Sequence, residues 1–169
     1  MKKSILDGKR ILAVDDEPDV LMVLEEELMA AAPSCKYEKA KTFEAAADKL
    51  KSQTYDLVIL DIMGVRGFDL LEMAVNRNLK VAMLTAHALT PEALKRSFEM
   101  KARAYLPKEK LGEIVSFLED VLTYEYLPGW KRLMMKLDGF FTEKFKDMKE
   151  KTGYSFWVEM REKIKKMDY

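Results

Sequence analysis

Four apolar runs in this chain each lead to a residue that can do chemistry. Ile11-Leu12-Ala13-Val14 runs into Asp15-Asp16, Leu57-Val58-Ile59-Leu60 into Asp61, and Val81-Ala82-Met83-Leu84 into Thr85. The shorter Ala104-Tyr105-Leu106 is followed by Pro107 and Lys108. Runs of this length, bounded by turn signals and separated by helix-like stretches, read as parallel strands buried on both faces. In such a sheet the strand C-termini share one edge, and ligands bind there. Three carboxylates, a hydroxyl and an ammonium group are therefore expected in one small pocket. Carboxylates that close repel one another and demand a cation, and an oxygen-only set suits Mg²⁺.

The stretches between the runs have helical spacing. Val20, Leu21, Val23, Leu24, Leu28 and Met29 follow Pro18, which suits a first helical turn, and Pro33-Ser34 ends that helix. A weak strand near 36–40 leads to Thr42, an N-cap for a helix carrying Phe43, Ala46, Ala47 and Leu50. A third helix holds Phe68, Leu70, Leu71, Met73, Ala74 and Val75. Thr90-Pro91-Glu92 is a helix start, with a cap, a first-turn proline and an acid near the positive end. A fifth helix uses Leu111, Ile114, Val115, Leu118 and Leu122. Right-handed crossovers then build an open five-stranded parallel sheet with helices on both faces.

The chain has 169 residues, enough for a domain of roughly 120 residues plus an appendage. No run approaches the ~18 apolar residues that span a membrane. Residues 1–8 carry two lysines but no apolar core, so no secretory signal is visible. The one cysteine, Cys35, has no intramolecular partner, which fits a reducing cytoplasm and an inert thiol. Residues 1–127 carry 18 Lys and Arg against 22 Asp and Glu, and residues 128–169 carry 11 against 7. The mildly basic tail fits docking on its own acidic body or on another subunit at least as well as it fits nucleic acid.

Asp15-Asp16, Asp61, Thr85-Ala86, Tyr105 and Lys108 stand at successive strand ends, in an order that resembles the response-regulator receiver domain over roughly residues 8–125. That resemblance implies the flavodoxin-like, doubly wound fold with strand order 2-1-3-4-5. It implies a two-component signalling protein of the single-receiver, chemotaxis type rather than a turnover enzyme. Asp61 would accept a phosphoryl group from a histidine kinase or phosphotransfer protein. Mg²⁺ would be held by Asp15, Asp16, Asp61 and the backbone carbonyl of Met63, with Lys108 and Thr85 meeting the phosphoryl oxygens. Tyr105 resembles the family's switch aromatic and reads equally as a static strand tyrosine. His87, the only histidine, is expected on the pocket rim as an exposed loop residue or a tuner of access.

Three departures from the family pattern stand out. The loop Asp61-Ile62-Met63-Gly64-Val65-Arg66-Gly67 lacks the usual proline and is about two residues short. Lys108 is followed by Glu109, with the proline moved ahead of it, which leaves the aim of the lysine open. Lys101 stands where the family has a helix-capping glycine, at a cost of ~1 kcal/mol if the backbone there is left-handed.

The division read from sequence is a receiver over 1–127 and a helical tail over 128–169. Pro128-Gly129 marks the exit, and Trp130, Leu133, Met134, Leu137, Phe140, Phe141, Phe145 and Met148 form a broad apolar stripe. Gly139 weakens or kinks that helix, Gly153 ends the segment, and Ser155 caps a last helix with Trp157, Val158, Met160, Ile164 and Met167. Two such helices cannot form a core alone, so they pack on the receiver, a second copy in a homodimer, or a partner protein. Output by protein–protein contact is the first reading. The alternative is a DNA-binding transcriptional regulator using the basic tail, although no recognition-helix pattern stands out. A membrane-surface tail is weakened by its acids.

Overall fold

The computed structural model describes residues 3–166. Met1 and Lys2, and the Met167 expected on the last helix, lie outside the described residues. Strands β1 (Arg10–Val14), β2 (Lys36–Ala40), β3 (Leu57–Asp61), β4 (Val81–Thr85) and β5 (Ala104–Pro107) form one parallel sheet in the order β2-β1-β3-β4-β5. The interleaved helices are α1 (Pro18–Ala31), α2 (Phe43–Ser52), α3 (Gly67–Asn76), α4 (Pro91–Glu99) and, after a 3₁₀ segment over Lys108–Glu113, α5 (Ile114–Thr123). This is the flavodoxin-like architecture expected from the resemblance, followed by a helical extension.

Every residue of β3 and β4 is buried, as two-sided coverage requires, while the edge strand β2 is half exposed and correspondingly polar. Thr42 and Thr90 act as N-caps, accepting from the amides of Ala45 and Ala93 at 3.1 Å. Register places the chemistry. Val14 sits beside Leu60, Asp61 beside Leu84, and Thr85 beside Pro107. The ends of β1, β3, β4 and β5 are therefore nearly level, and the residues that follow or close them meet at one edge.

The tail forms α6 (Tyr126–Phe145) and α7 (Tyr154–Lys166). Both pack on the body of the same chain: α6 on α5 and β5, α7 on α4 and α6. Two expectations about boundaries are corrected here. Pro128-Gly129 does not precede the helix but lies in its first turn, where a proline's missing N–H removes no helical bond. Ser155 lies inside α7, which begins at Tyr154. Gly139 does not kink α6; the helix runs through it, and beyond its chain neighbours and the adjoining helix backbone no atom lies within 4 Å of where its Cβ would stand.

The stripe on α6 is buried from Trp130 to Phe145, with Phe140 and Met148 at its margin. Phe98 of α4 is ringed by Tyr126, Trp130 and Phe156 at centroid distances of 5.3, 5.3 and 5.6 Å. Trp130 Nε1 donates to the Ala102 carbonyl at 2.8 Å. Cations of the tail also meet acids of the body. Arg132 and Lys136 pair with Asp120, and Lys144 pairs with Glu109 at 2.9 Å.

Gly153 closes the turn between α6 and α7 at φ +89°, and a Cβ there would stand 2.8 Å from the Pro91 carbonyl oxygen and 2.9 Å from Glu92 N. Since backbone cannot yield as a side-chain tip can, Gly153→Ala is expected to cost roughly 2 kcal/mol in denaturant unfolding. A change under ~0.5 kcal/mol would mean that α7 is not seated against α4.

Candidate functional site

At the C-terminal edge of the sheet, one ligand oxygen from each of Asp15, Asp16 and Asp61 lies within 4.8 Å of the others. Asp15 and Asp61 are buried and Asp16 is exposed. Lys108 Nζ reaches 2.8 Å from Asp15 Oδ2 and 3.3 Å from Asp61 Oδ1. The lysine thus points into the carboxylates although Pro107 precedes it, Glu109 follows it, and no peptide among the described residues is cis.

The electrostatics are those of a crowded anionic pocket. Burial, and then the charge of Asp15, push Asp61 up to about 7. Burial also raises Asp15, against the Lys108 ammonium and the Glu17 amide, which donates to Asp15 Oδ1 at 2.8 Å. Burial works against the Lys108 charge, but Asp15 and Asp61 outweigh it and hold its pKa above the usual value. One ammonium faces three carboxylates, so the pocket is short of positive charge. Asp15 Oδ2 is buried, and although it is close to the ammonium it receives no well-directed hydrogen bond. An oxygen set with a charge deficit and an under-satisfied buried oxygen fits a hard divalent cation.

Thr85 is fully buried at the end of β4, and its Oγ1 accepts from the Ala88 amide at 2.8 Å. Tyr105 is also fully buried. Its hydroxyl donates to the Ala88 carbonyl at 2.5 Å and accepts from the Thr90 amide at 3.1 Å. Ala88 therefore links the threonine to the tyrosine. The tyrosine ring meets Phe141 of α6 at 5.8 Å. Met63 lies in the loop after β3 with its side chain exposed. His87 stands on the rim, largely exposed, with Nε2 3.9 Å from Glu17 Oε1.

Two participants escaped the sequence reading. Glu17 extends the acidic rim, with Oε2 3.8 Å from Lys108 Nζ; its place directly after Asp15-Asp16 was the available signal. Gly64 abuts the Asp16 carboxylate at φ +87°, a closeness that no spacing rule reveals.

A family model described as "Response regulator receiver domain" matches residues 11–119. The "Two-component response regulator ARR18" of Arabidopsis thaliana is 44% identical over 87 residues, which are 48% of this chain and 13% of that protein. The "Two-component response regulator ORR24" of Oryza sativa subsp. indica is 39% identical over 95 residues, covering 52% of this chain and 14% of that protein. The chain thus matches only about an eighth of the length of these relatives. Among solved structures, a CheY-like receiver domain protein from Methanospirillum hungatei JF-1 superposes with a TM-score of 0.57 at 27% identity, covering 68% of this chain and 96% of that one. The receiver domain of a DNA-binding response regulator from Colwellia psychrerythraea 34H gives 0.62 at 23% identity, over 69% and 99%, a likeness of fold alone.

Proposed function

The chain belongs to the response regulator receiver family, and from that premise we propose that it is a phosphoacceptor of two-component signalling, with Asp61 as the acceptor. One observation carries the reading: the carboxylate that ends the central strand lies 3.3 Å from a buried ammonium and beside two further carboxylates. The donor is a histidine kinase or phosphotransfer protein. A carboxylate oxygen of Asp61 forms the new bond to phosphorus, the bond to the donor's nitrogen breaks, and that nitrogen keeps the electron pair. Asp15, Asp16, Asp61 and the Met63 carbonyl would hold Mg²⁺, which when bound supplies positive charge beside the transferring group. Lys108 holds its charge against the phosphoryl oxygens. Thr85 turns its hydroxyl towards one of them and gives up the Ala88 amide.

That release is the basis of signalling in this reading. Ala88 also holds Tyr105, and Tyr105 carries Phe141, so a moved threonine disturbs the seat of α6. Phosphorylation shifts a two-state packing of the tail, and the altered face recruits a partner protein. Arg132, Lys136 and Lys144 are engaged by acids of the body, which favours protein contact over DNA as the output. No helix among the described residues is long and apolar enough to cross a membrane, and we place the chain in the cytoplasm with its kinase.

The test is labelling by acetyl phosphate with Mg²⁺, followed by hydrogen exchange. Asp61→Asn is expected to lose stable label, and label at undiminished level would name another nucleophile. In the unsubstituted protein, exchange over residues 95–150 is expected to rise on phosphorylation. Unchanged exchange there, with Asp61 labelled, would leave the tail as a permanent brace.

A further inference from the structure

Asp15 and Asp61 are located by polar contacts, and Asp16 is not. Asp15 is held by the Glu17 amide and Lys108, and Asp61 by Lys108 and its place in β3. Among the described residues, no hydrogen bond or ion pair holds Asp16, and its side chain is open to solvent. What stands against its carboxylate is the bare Cα of Gly64. A Cβ built there would lie 2.5, 2.7 and 2.8 Å from Asp16 Oδ2, Cγ and Oδ1.

We propose that Gly64 is a positioning residue for the metal site: its missing side chain leaves the space in which the Asp16 carboxylate sits beside Asp15 and Asp61. The inference rests on the phosphoacceptor reading above and concerns how the short loop after Asp61 serves it. Gly67 draws the loop in, since a Cβ at Gly67 would collide with the Asp61 carbonyl and stand 2.8 Å from the Ile62 Cα. Gly64 then lies over Asp16. A methyl group at Gly64 meets the free end of an exposed side chain, which can swing into water at little cost. It would therefore displace a metal ligand without opening the fold.

Gly8 provides the control. It has nearly the same left-handed backbone, φ +75° against +87°, but nothing within 4 Å of its Cβ position. Gly8→Ala and Gly64→Ala both carry the strain of an L residue at positive φ, and only the second touches Asp16. The experiment measures Mg²⁺ affinity by calorimetry and the thermal midpoint in EDTA. The proteins are the full chain and its Gly8→Ala, Gly64→Ala, Asp16→Ala and Gly64→Ala/Asp16→Ala variants. Similar midpoint losses are expected for the two glycine variants. Mg²⁺ affinity should fall at least about tenfold for Gly64→Ala and stay unchanged for Gly8→Ala. The double variant should bind no more weakly than Asp16→Ala, because the methyl group acts through that carboxylate.

Unsubstituted affinity in Gly64→Ala would overturn the proposal. So would losses that add in full in the double variant, a Gly64→Ala midpoint far below that of Gly8→Ala, or undiminished affinity in Asp16→Ala. Failure of the unsubstituted chain to bind Mg²⁺ would instead overturn the phosphoacceptor reading beneath it.

Discussion

Asp61→Asn is expected to make the metal-free protein more stable, by on the order of 2 kcal/mol above neutral pH, while removing the proposed phosphoryl acceptor. The carboxyl group is raised from 3.8 to about 7 by burial first and the Asp15 charge second. Between those values the folded chain holds a proton that the unfolded chain has released. Stability from this group is therefore full below 3.8, declines as pH rises, and is lost above about 7. An amide carries no such penalty. Full conversion of the shift at ~1.4 kcal/mol per pH unit overshoots, because Lys108 loses one of its two close partners on substitution. In EDTA at pH 8 the midpoint should rise by about 4–8 °C, and at pH 4 the two proteins should converge. Added Mg²⁺ should raise the midpoint of the unsubstituted chain far more than that of the variant, since ligand binding stabilises only a state that binds. An Asp61→Asn variant less stable than its parent at pH 8 in EDTA would show that the carboxylates are not in conflict.

The largest loss of stability is expected from Phe141→Ala. Phe141 is fully buried between Tyr105 at 5.8 Å and Phe145, which stacks on it at 5.4 Å and 11°. Phe145 in turn meets Trp157 of α7 edge-on at 5.2 Å. The ring thus joins the sheet edge to both tail helices. Removing it leaves a cavity that the flanking strand and helices cannot close, at a cost of about 3–5 kcal/mol. The midpoint should fall by roughly 8–15 °C in a single transition. Amides of β5 should lose protection along with those of α6. A cost below ~1 kcal/mol, or a tail transition that leaves β5 protected, would mean that the tail is only loosely attached to the receiver body.

Lys101 shows how the tail alters the energetics of the body. Its backbone is left-handed at φ 72°, the conformation for which the family's glycine is suited. Its ammonium lies 5.1 Å from the ring centre of Tyr126, the first residue of α6. A cation over an aromatic face is worth ~0.5–1 kcal/mol at an exposed site, which offsets much of the strain. The departure read from sequence as a cost is thus partly compensated by a contact across some 25 positions of chain, as the numbers 101 and 126 indicate.

The sheet and the position of the candidate site residues follow from local pattern. A strand covered on both faces must be apolar throughout, so β1, β3 and β4 stand out as runs, and the polar residue that ends each run must lie at the sheet edge. Asp15, Asp16, Asp61, Thr85 and Lys108 were legible for that reason, and the caps Thr42 and Thr90 because capping is a bond within one turn. Contacts between distant parts of the chain do not follow from it. The stripe from Trp130 to Phe145 requires a cover, but its pattern is the same whether the cover is this chain, a second copy or a partner; packing on α5 and β5 selected the first. The close approaches at glycines 64, 67 and 153 were equally hidden, since each sets the glycine against atoms at other points of the chain: the Asp16 carboxylate, the Asp61 backbone, and the start of α4. Local pattern encodes which face is buried. Only the folded chain determines which surface buries it and which atoms leave no room for a side chain.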